Sequence, residues 1–180
     1  FDQLKSLRPT IQLPVVLMGY MNPVLQFGFD KFCEAAAAVG VDGLILPDMP
    51  AYEFEAKYGA IVKKHGLDFI FLVTPETPTE RIVYLDSLSS GFLYAVSASA
   101  TTGSALNFDV VDAYLQKLKQ MNLNNPILVG FGVKDAASFE LATRHTTGAI
   151  IGSAYIKALE NSSDVTATTA QFLSSIIGQK

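Results

Sequence analysis

Short apolar runs alternate with longer segments of helical periodicity along the whole chain. The runs are apolar on both faces, which is typical of parallel strands that are covered by helices on one side and by a core on the other. They predict six strands, at residues 13–20, 43–47, 68–73, 91–97, 126–130 and 148–151. Strands that alternate with helices in this way indicate βαβ units around a parallel sheet.

The segments between the strands have the 3.6-residue period of amphipathic helices. They predict helices at residues 26–39, 51–65, 78–87, 109–121, 136–144, 153–160 and 165–179, and the first seven residues form a further helical segment. Turn chemistry marks several helix ends. Gly40 and Gly66 are predicted helix stops, Asp135 is a predicted cap, and residues 77–80 place a cap, an N1 proline and an N3 acid at a helix start.

The spacing of these units predicts an α/β fold of the TIM (β/α)8 barrel type. Such a barrel typically takes about 250 residues for eight units, whereas here six units occupy 180 residues. The helix at residues 1–7 has no strand before it. The six units are therefore predicted to be the third to the eighth of one barrel domain over residues 1–180, with the first two units absent.

Composition narrows the class of protein. The net charge is −4 and the longest basic run is Lys63–Lys64, which argues against nucleic-acid binding. Cys33 is the only cysteine, so one chain can form neither a disulfide nor a cysteine metal cluster, and a reducing, cytoplasmic location is expected. The apolar runs are much shorter than the roughly 20 residues of a membrane span. His65 and His145 are predicted on solvated loops, and no metal site is expected.

The active site of a parallel barrel forms at the carboxyl ends of its strands. Residues 19–23 follow the first strand and could hold a ligand or a partner, or form a plain loop. Asp48 follows the second strand, where it is a candidate acid or base or a cap of the next helix. Residues 97–105 are small and hydroxylic, which is compatible with a closing lid or with a flexible connection.

Glycines at the ends of the last two strands give the strongest signal. Gly130 and Gly132 follow one strand, and Gly152 and Ser153 follow the other and open a helix. Glycines let backbone N–H groups approach a ligand, and a helix start favours an anion. Since barrels of this type often bind phosphate after their last two strands, a phosphate site is predicted here.

Several segments together resemble the alpha subunit of tryptophan synthase. The matching segments are residues 13–23, 40–50, 91–94, 101–103, 130–132 and 152–153. The resemblance implies a carbon–carbon lyase of tryptophan biosynthesis, which cleaves indole-3-glycerol phosphate to indole and glyceraldehyde 3-phosphate by a retro-aldol reaction. It implies no cofactor in this subunit. The indole would pass to a pyridoxal-phosphate beta subunit within a heterotetramer.

The resemblance also assigns residues to three surfaces. The substrate phosphate would be held by Thr102, Gly103, Gly132, Gly152 and Ser153. The indole pocket would be lined by Met18, Ile45, Pro47, Leu72, Tyr94 and Phe131. The face toward the beta subunit would include Tyr20, Asn22 and Pro50.

The sequence departs from the family at the catalytic acids. The family uses a Glu at the end of the first strand and an Asp after the second, and neither segment is in this sequence, so no catalytic residue is expected here. Asp48 follows the fourth strand of the family barrel, which does not supply the main acid or base. An N-terminal portion of about 70 to 80 residues is either omitted or truncated, and omission is favoured because open strand edges invite aggregation.

Two other functions stay open at this point. One is another phosphate-binding barrel, such as a ribulose-phosphate epimerase or a thiamine-phosphate synthase, although an epimerase would need metal-binding His and Asp residues at strand ends. The other is an inactive fragment that acts only as a binding partner.

Overall fold

A computed structural model describes residues 1–96, 108–130 and 132–178 of the chain, with the side chain of residue 108 left out. The described residues form two compact units. Unit 1 comprises Phe1–Leu72 and Thr79–Leu93, and unit 2 comprises Val73–Pro78 and Tyr94–Lys180. Among the described residues, no helix is long and apolar enough to cross a membrane.

Unit 1 is built on a parallel sheet of three strands in the order β1-β2-β3. The strands are β1 (Val16–Met18), β2 (Gly43–Ile45) and β3 (Asp68–Phe69). Val16 pairs with Gly43, and Met18 with Ile45, so the carboxyl ends of β1 and β2 are level. The helices of this unit are α1 (Asp2–Leu7), α2 (Met21–Phe27), α3 (Phe29–Ala38), α4 (Ala51–Glu53), α5 (Gly59–Lys64) and α6 (Thr79–Leu88), with a 3-10 turn at Arg8–Thr10.

The core of unit 1 contains three phenylalanines whose rings contact one another in tilted and edge-to-face arrangements. The ring centroids of Phe54 and Phe69 are 4.4 Å apart, and Phe71 lies 5.2 Å from Phe54 and 4.9 Å from Phe69. Leu44 and Cys33 are completely buried. Buried apolar side chains of this size each stabilise a fold by about 1.5–3 kcal/mol, so the aromatic cluster contributes to the stability of this unit.

Hydrogen bonds from Arg8 link the N-terminal segment to the rest of unit 1. Its Nε donates to the carbonyl oxygen of Gly40 at 2.6 Å, and its Nη2 donates to Oδ2 of Asp42 at 2.9 Å. Gly40 has φ +79°, as predicted for a helix stop, and a Cβ there would lie only 2.8 Å from Cγ of Arg8. A glycine is therefore required both for the backbone turn and for the approach of the arginine.

Three predicted elements of unit 1 differ from the structure. Residues 21–23, predicted as loop, open α2, and Gly28 with φ +95° divides the predicted helix 26–39 into α2 and α3. Pro23 is tolerated because it lies in the first turn, where its missing N–H has no helical partner. The predicted helix 51–65 contains a π-helical segment, Phe54–Tyr58.

The predicted strand 68–73 is two short strands, β3 and β4 (Leu72–Val73). Side-chain hydroxyls explain the division. The N–H of Phe71 donates to Oγ of Ser89 at 3.2 Å, and that of Phe69 donates to Oγ of Ser90 at 3.0 Å. At Phe71, between β3 and β4, the hydroxyl of Ser89 thus takes the place of a backbone acceptor from a neighbouring strand.

The second sheet has four strands in the order β4-β5-β6-β7. Its other strands are β5 (Leu93–Val96), β6 (Ile127–Gly130) and β7 (Gly148–Ala149), and β6 and β7 are parallel. The helices of unit 2 are α7 (Phe108–Gln120), α8 (Ala136–His145), α9 (Ser153–Leu159) and α10 (Val165–Ile177). Leu115, Leu118 and Val129 are fully buried and form part of the core of this unit.

Asp135 caps α8, as the sequence predicted. Its Oδ1 accepts from the N–H of Ser138 at 2.9 Å, and Oγ of Ser138 accepts in turn from the N–H of Asp135 at 3.1 Å. This reciprocal capping box satisfies N–H groups that the helix itself leaves without a partner.

Candidate functional site

Unit 2 contains a cavity of about 470 Å³ at the carboxyl ends of β5, β6 and β7. Gly132, Gly152 and Ser153 line the cavity, and they are three of the five residues predicted to hold a phosphate. The other two, Thr102 and Gly103, lie outside the described residues. The full lining is Tyr94, Val96, Gly130, Gly132, Val133, Lys134, Ile150, Gly152, Ser153, Ala154 and Lys157.

The glycines of this cavity leave room for a ligand. Gly132 has φ +57°, a backbone conformation that favours glycine, and a Cβ built on Gly152 meets nothing within 4 Å. The carbonyl of Gly152 accepts from the N–H groups of Tyr155 and Ile156, the first hydrogen bonds of α9. The N–H groups of Ser153 and Ala154 precede these bonds, so the helix does not use them and they can donate to an anion.

Tyr94 forms an aromatic wall of the cavity. The ring packs closely on Gly130, because a Cβ on that glycine would lie 2.5 Å from the tyrosine hydroxyl oxygen. Burial raises the pKa of the Tyr94 hydroxyl, which therefore stays protonated at neutral pH. Tyr94 was predicted to line the indole pocket, and the structure brings it together with the predicted phosphate residues.

Two lysines that the sequence pattern did not single out also line this cavity. Lys134 comes two residues after Gly132, and Lys157 comes four residues after Ser153 on α9. A spacing of four places two helical residues on the same face, so the position of Lys157 could have been deduced from the sequence. Lys134 lies in the segment between β6 and α8, which has no helical or strand period from which the position of its side chain could be predicted.

The other indole-pocket residues in the described part of the chain belong to unit 1. Met18 and Ile45 are paired at the ends of β1 and β2; Ile45 is buried, whereas Met18 is 61% exposed. Pro47 is exposed after β2, and Leu72 is half-buried in β4. Phe131 lies outside the described residues. An exposed apolar side chain at a strand end, such as Met18, is available to contact an apolar ligand.

Asp48 contacts the segment that contains Tyr20 and Asn22, which were predicted to face a beta subunit. Its Oδ1 and Oδ2 accept from the N–H of Met21 at 2.9 and 3.0 Å. Asp48 therefore holds the start of α2, between the exposed residues Tyr20 and Asn22, against the loop that leads to Pro50. The alternative that Asp48 caps the following helix is wrong, because the N-cap of α4 is Pro50 and that helix has no side-chain cap.

The prediction that both histidines are solvated is wrong. The His65 side chain is 14% exposed, and its Nε2 lies 2.8 Å from Oδ1 of Asp30. His145 is 15% exposed, and its Nε2 lies 3.3 Å from Oδ1 of Asp112. Hydrogen bonds from His65 and Lys64 hold the pKa of Asp30 below its usual range. Each histidine thus ties two helices together within one unit.

The surroundings of Cys33 do not favour a reactive thiol. Cys33 is buried in α3, and burial raises the pKa of its thiol to about 11, so it is not a nucleophile at neutral pH. Within residues 1–96, 108–130 and 132–178, no group of three or more His, Cys, Asp or Glu side chains is arranged to hold a metal ion.

Comparisons with known proteins give the family. Residues 1–179 match the family model of the tryptophan synthase alpha chain. The tryptophan synthase alpha chain of Flavobacterium psychrophilum is 46% identical over 160 residues, which are 88% of this chain and 63% of the relative. That of Parabacteroides distasonis is 47% identical over 162 residues, 89% of this chain and 63% of the relative. The chain thus spans less than two thirds of the length of these curated relatives.

Solved structures give the same result. The tryptophan synthase A-subunit of the hyperthermophile Pyrococcus furiosus superposes with a TM-score of 0.85 at 29% identity, over 98% of this chain and 71% of that one. An a2b2 complex of tryptophan synthase from the same organism gives a TM-score of 0.86 at 30% identity, with the same two coverages. The predicted TIM-barrel class of the α/β fold is confirmed. Family model, relatives and structures agree along nearly all of the sequence, and the chain belongs to the tryptophan synthase alpha chain family.

Proposed function

We propose that this protein acts in tryptophan biosynthesis as a carbon–carbon lyase that cleaves indole-3-glycerol phosphate to indole and glyceraldehyde 3-phosphate. The observation that carries the proposal is the cavity of unit 2, in which Gly132, Gly152 and Ser153 meet an aromatic wall at Tyr94. The N–H groups of Ser153 and Ala154, which α9 itself does not use, suit the phosphate end of this substrate, and Tyr94 suits its apolar end.

The proposed reaction breaks the bond between C3 of the indole and the adjacent carbon of the glycerol phosphate. The hydroxyl on that carbon loses its proton and becomes the aldehyde, while C3 of the indole gains a proton. Both proton transfers need a positioned acid or base. The role proposed for these 180 residues is to bind and orient the substrate for these transfers.

Met18, Ile45, Pro47 and Leu72 are proposed as apolar contacts of the indole. They share a position at or just after the carboxyl ends of parallel strands, where barrel enzymes bind their ligands. The ring would be recognised by burial of apolar surface, which needs no charged group. Phe131, Thr102 and Gly103 remain assigned by family resemblance alone.

A beta subunit is the proposed partner, in a heterotetramer. Two of the similar solved structures are tryptophan synthase complexes from Pyrococcus furiosus, one of which is described as a mutually activated a2b2 complex. The surface proposed to contact the partner contains Tyr20, which is 67% exposed, with Asn22 and Pro50. Exposed tyrosines are common anchors of interfaces because they combine apolar area with a hydrogen-bonding tip.

No cofactor is proposed for this chain. Pyridoxal phosphate belongs, in this proposal, to the beta subunit, and the site in unit 2 holds the phosphate of the substrate itself. A biosynthetic enzyme with one buried free thiol is compatible with a reducing compartment, and we place the protein in the cytoplasm.

The test is a calorimetric titration of indole-3-glycerol phosphate into the chain and into Gly152→Asp. The variant puts a carboxylate into the open space where the phosphate is proposed to bind, so like charges repel and binding should be lost. Ala170→Asp is the matched control, since it adds the same charge at an exposed position of α10. Equal affinity in the wild type and Gly152→Asp would refute the proposed site.

A further inference from the structure

We propose that Lys134 and Lys157 bind the phosphate directly and make the cavity of unit 2 selective for a dianionic phosphate ester. This inference rests on the proposed function, because it deepens the description of the same site. Neither lysine was part of the phosphate set predicted from the sequence. The structure places both among the residues that line the cavity with Gly132, Gly152 and Ser153.

The two lysines approach the cavity from different elements. Lys134 lies between β6 and α8, directly before the N-cap residue of α8, and Lys157 lies on the last turns of α9. The backbones of the two lysines are therefore positioned by different elements. Both side chains are exposed. A lysine is a compact charge on a flexible stem of four carbons, which lets the ammonium follow a ligand in an open site.

The charged side chains of the described cavity lining are all positive. Among the described residues that line the cavity, the lysines are the charged side chains, and no carboxylate accompanies them. Asp135, the nearest acid in sequence to Lys134, uses its Oδ1 to accept from the N–H of Ser138 and from its hydroxyl. Within the part of the chain that the structure describes, neither ammonium group forms a salt bridge. Besides the hydrogen bonds from Ser138, the charge of Lys134 helps to lower the pKa of Asp135, but no salt bridge among the described residues holds the ammonium group, so both lysines can still approach an anion.

Two ammonium groups would add net positive charge to the backbone N–H groups and the helix start, which already favour an anion. The second pKa of a phosphate monoester is about 6, so the group carries nearly two negative charges at pH 7. N–H dipoles orient the oxygens but carry no net charge, whereas two ammonium groups balance two negative charges. The lysines therefore favour the dianion over a monoanion or a neutral alcohol.

The experiment measures the affinity of glycerol 3-phosphate for the wild-type chain, Lys134→Gln, Lys157→Gln and the double variant. Each single change should weaken binding about fivefold to tenfold, and the double change by about 50-fold, as expected for charge-assisted hydrogen bonds. The double variant should also lose most of the salt dependence of binding. Lys117→Gln is the matched control, because it removes the same charge from an exposed position of α7.

Gly152→Asp separates this inference from the proposed function. If the wild type binds and Gly152→Asp does not, while both lysine variants bind like the wild type, the inference is overturned and the proposed phosphate site stands. If the wild type does not bind, or Gly152→Asp binds equally well, the site itself is wrong and both proposals fall. Weaker binding in the lysine variants with unchanged binding in Lys117→Gln supports the inference.

Discussion

The contact between Gly130 and Tyr94 is tight enough to constrain both residues. A Cβ on Gly130 would lie 2.5 Å from the hydroxyl oxygen and 2.9 Å from Cε2 of Tyr94. Gly130→Ala should therefore destabilise the protein by about 1–3 kcal/mol, the usual cost of overpacking. Urea unfolding measures the change. Gly19→Ala is the control, since a Cβ there meets nothing within 4 Å, and an equal effect of the two substitutions would contradict the predicted clash.

The cap of α8 should make stability depend on pH. Hydrogen bonds from Ser138 hold the pKa of Asp135 below its usual range, so folding favours the ionised form. The stability that ionised Asp135 contributes is fully present above its pKa in the unfolded chain, near 4. It is lost as the pH falls through the lower pKa of Asp135 in the folded protein. The melting temperature of the wild type relative to Asp135→Asn should therefore decrease between about pH 5 and pH 2. A difference that does not change with pH would show that the charge of Asp135 has no part in the cap.

At the scale of elements, α2 depends on a residue from another loop. Met21 donates its N–H to both carboxylate oxygens of Asp48, which links the start of α2 to the segment after β2. Asp48→Ala removes the acceptor and should cost about 1 kcal/mol of stability. Asp48→Asn keeps an acceptor oxygen and should cost less. Chemical unfolding of the two variants measures the difference.

The same pair of variants tests the proposed partner surface. Tyr20 and Asn22 flank Met21, so loss of the Asp48 contact should also weaken association with a tryptophan synthase beta subunit. Calorimetry should show a larger loss for Asp48→Ala than for Asp48→Asn. If both variants bind the beta subunit like the wild type, Asp48 does not organise this surface.

The sequence pattern predicted where elements lie better than where they divide. Apolar runs located every strand, because burial on both faces leaves a clear signal. At the division, the N–H of Phe71 donates to the hydroxyl of Ser89, which is distant in sequence and leaves no local pattern. Gly28 was visible, but a glycine within a helical pattern is often tolerated, and only its φ of +95° shows that the helix breaks there.

At the scale of the whole molecule, the glycines of the proposed phosphate site could be predicted because backbone access to a ligand favours glycine. Tyr94 was assigned by resemblance to the family, and the structure adds its contact with Gly130. Lys134 and Lys157 could not be assigned from composition, since exposed lysines are common and only three-dimensional proximity separates these two from the others. Likewise, the pairing of His65 with Asp30 joins residues far apart in the sequence.

Backbone amide NMR tests whether the glycine-lined cavity of unit 2 binds a phosphate ester, as proposed. Glycerol 3-phosphate is titrated into the labelled chain while the N–H signals are followed. Saturable shifts are expected at Gly132, Gly152 and Ser153, with Gly19 and Gly66 of unit 1 unchanged. Saturable shifts confined to other residues, or no shifts at the three cavity amides, would rule out the proposed phosphate site.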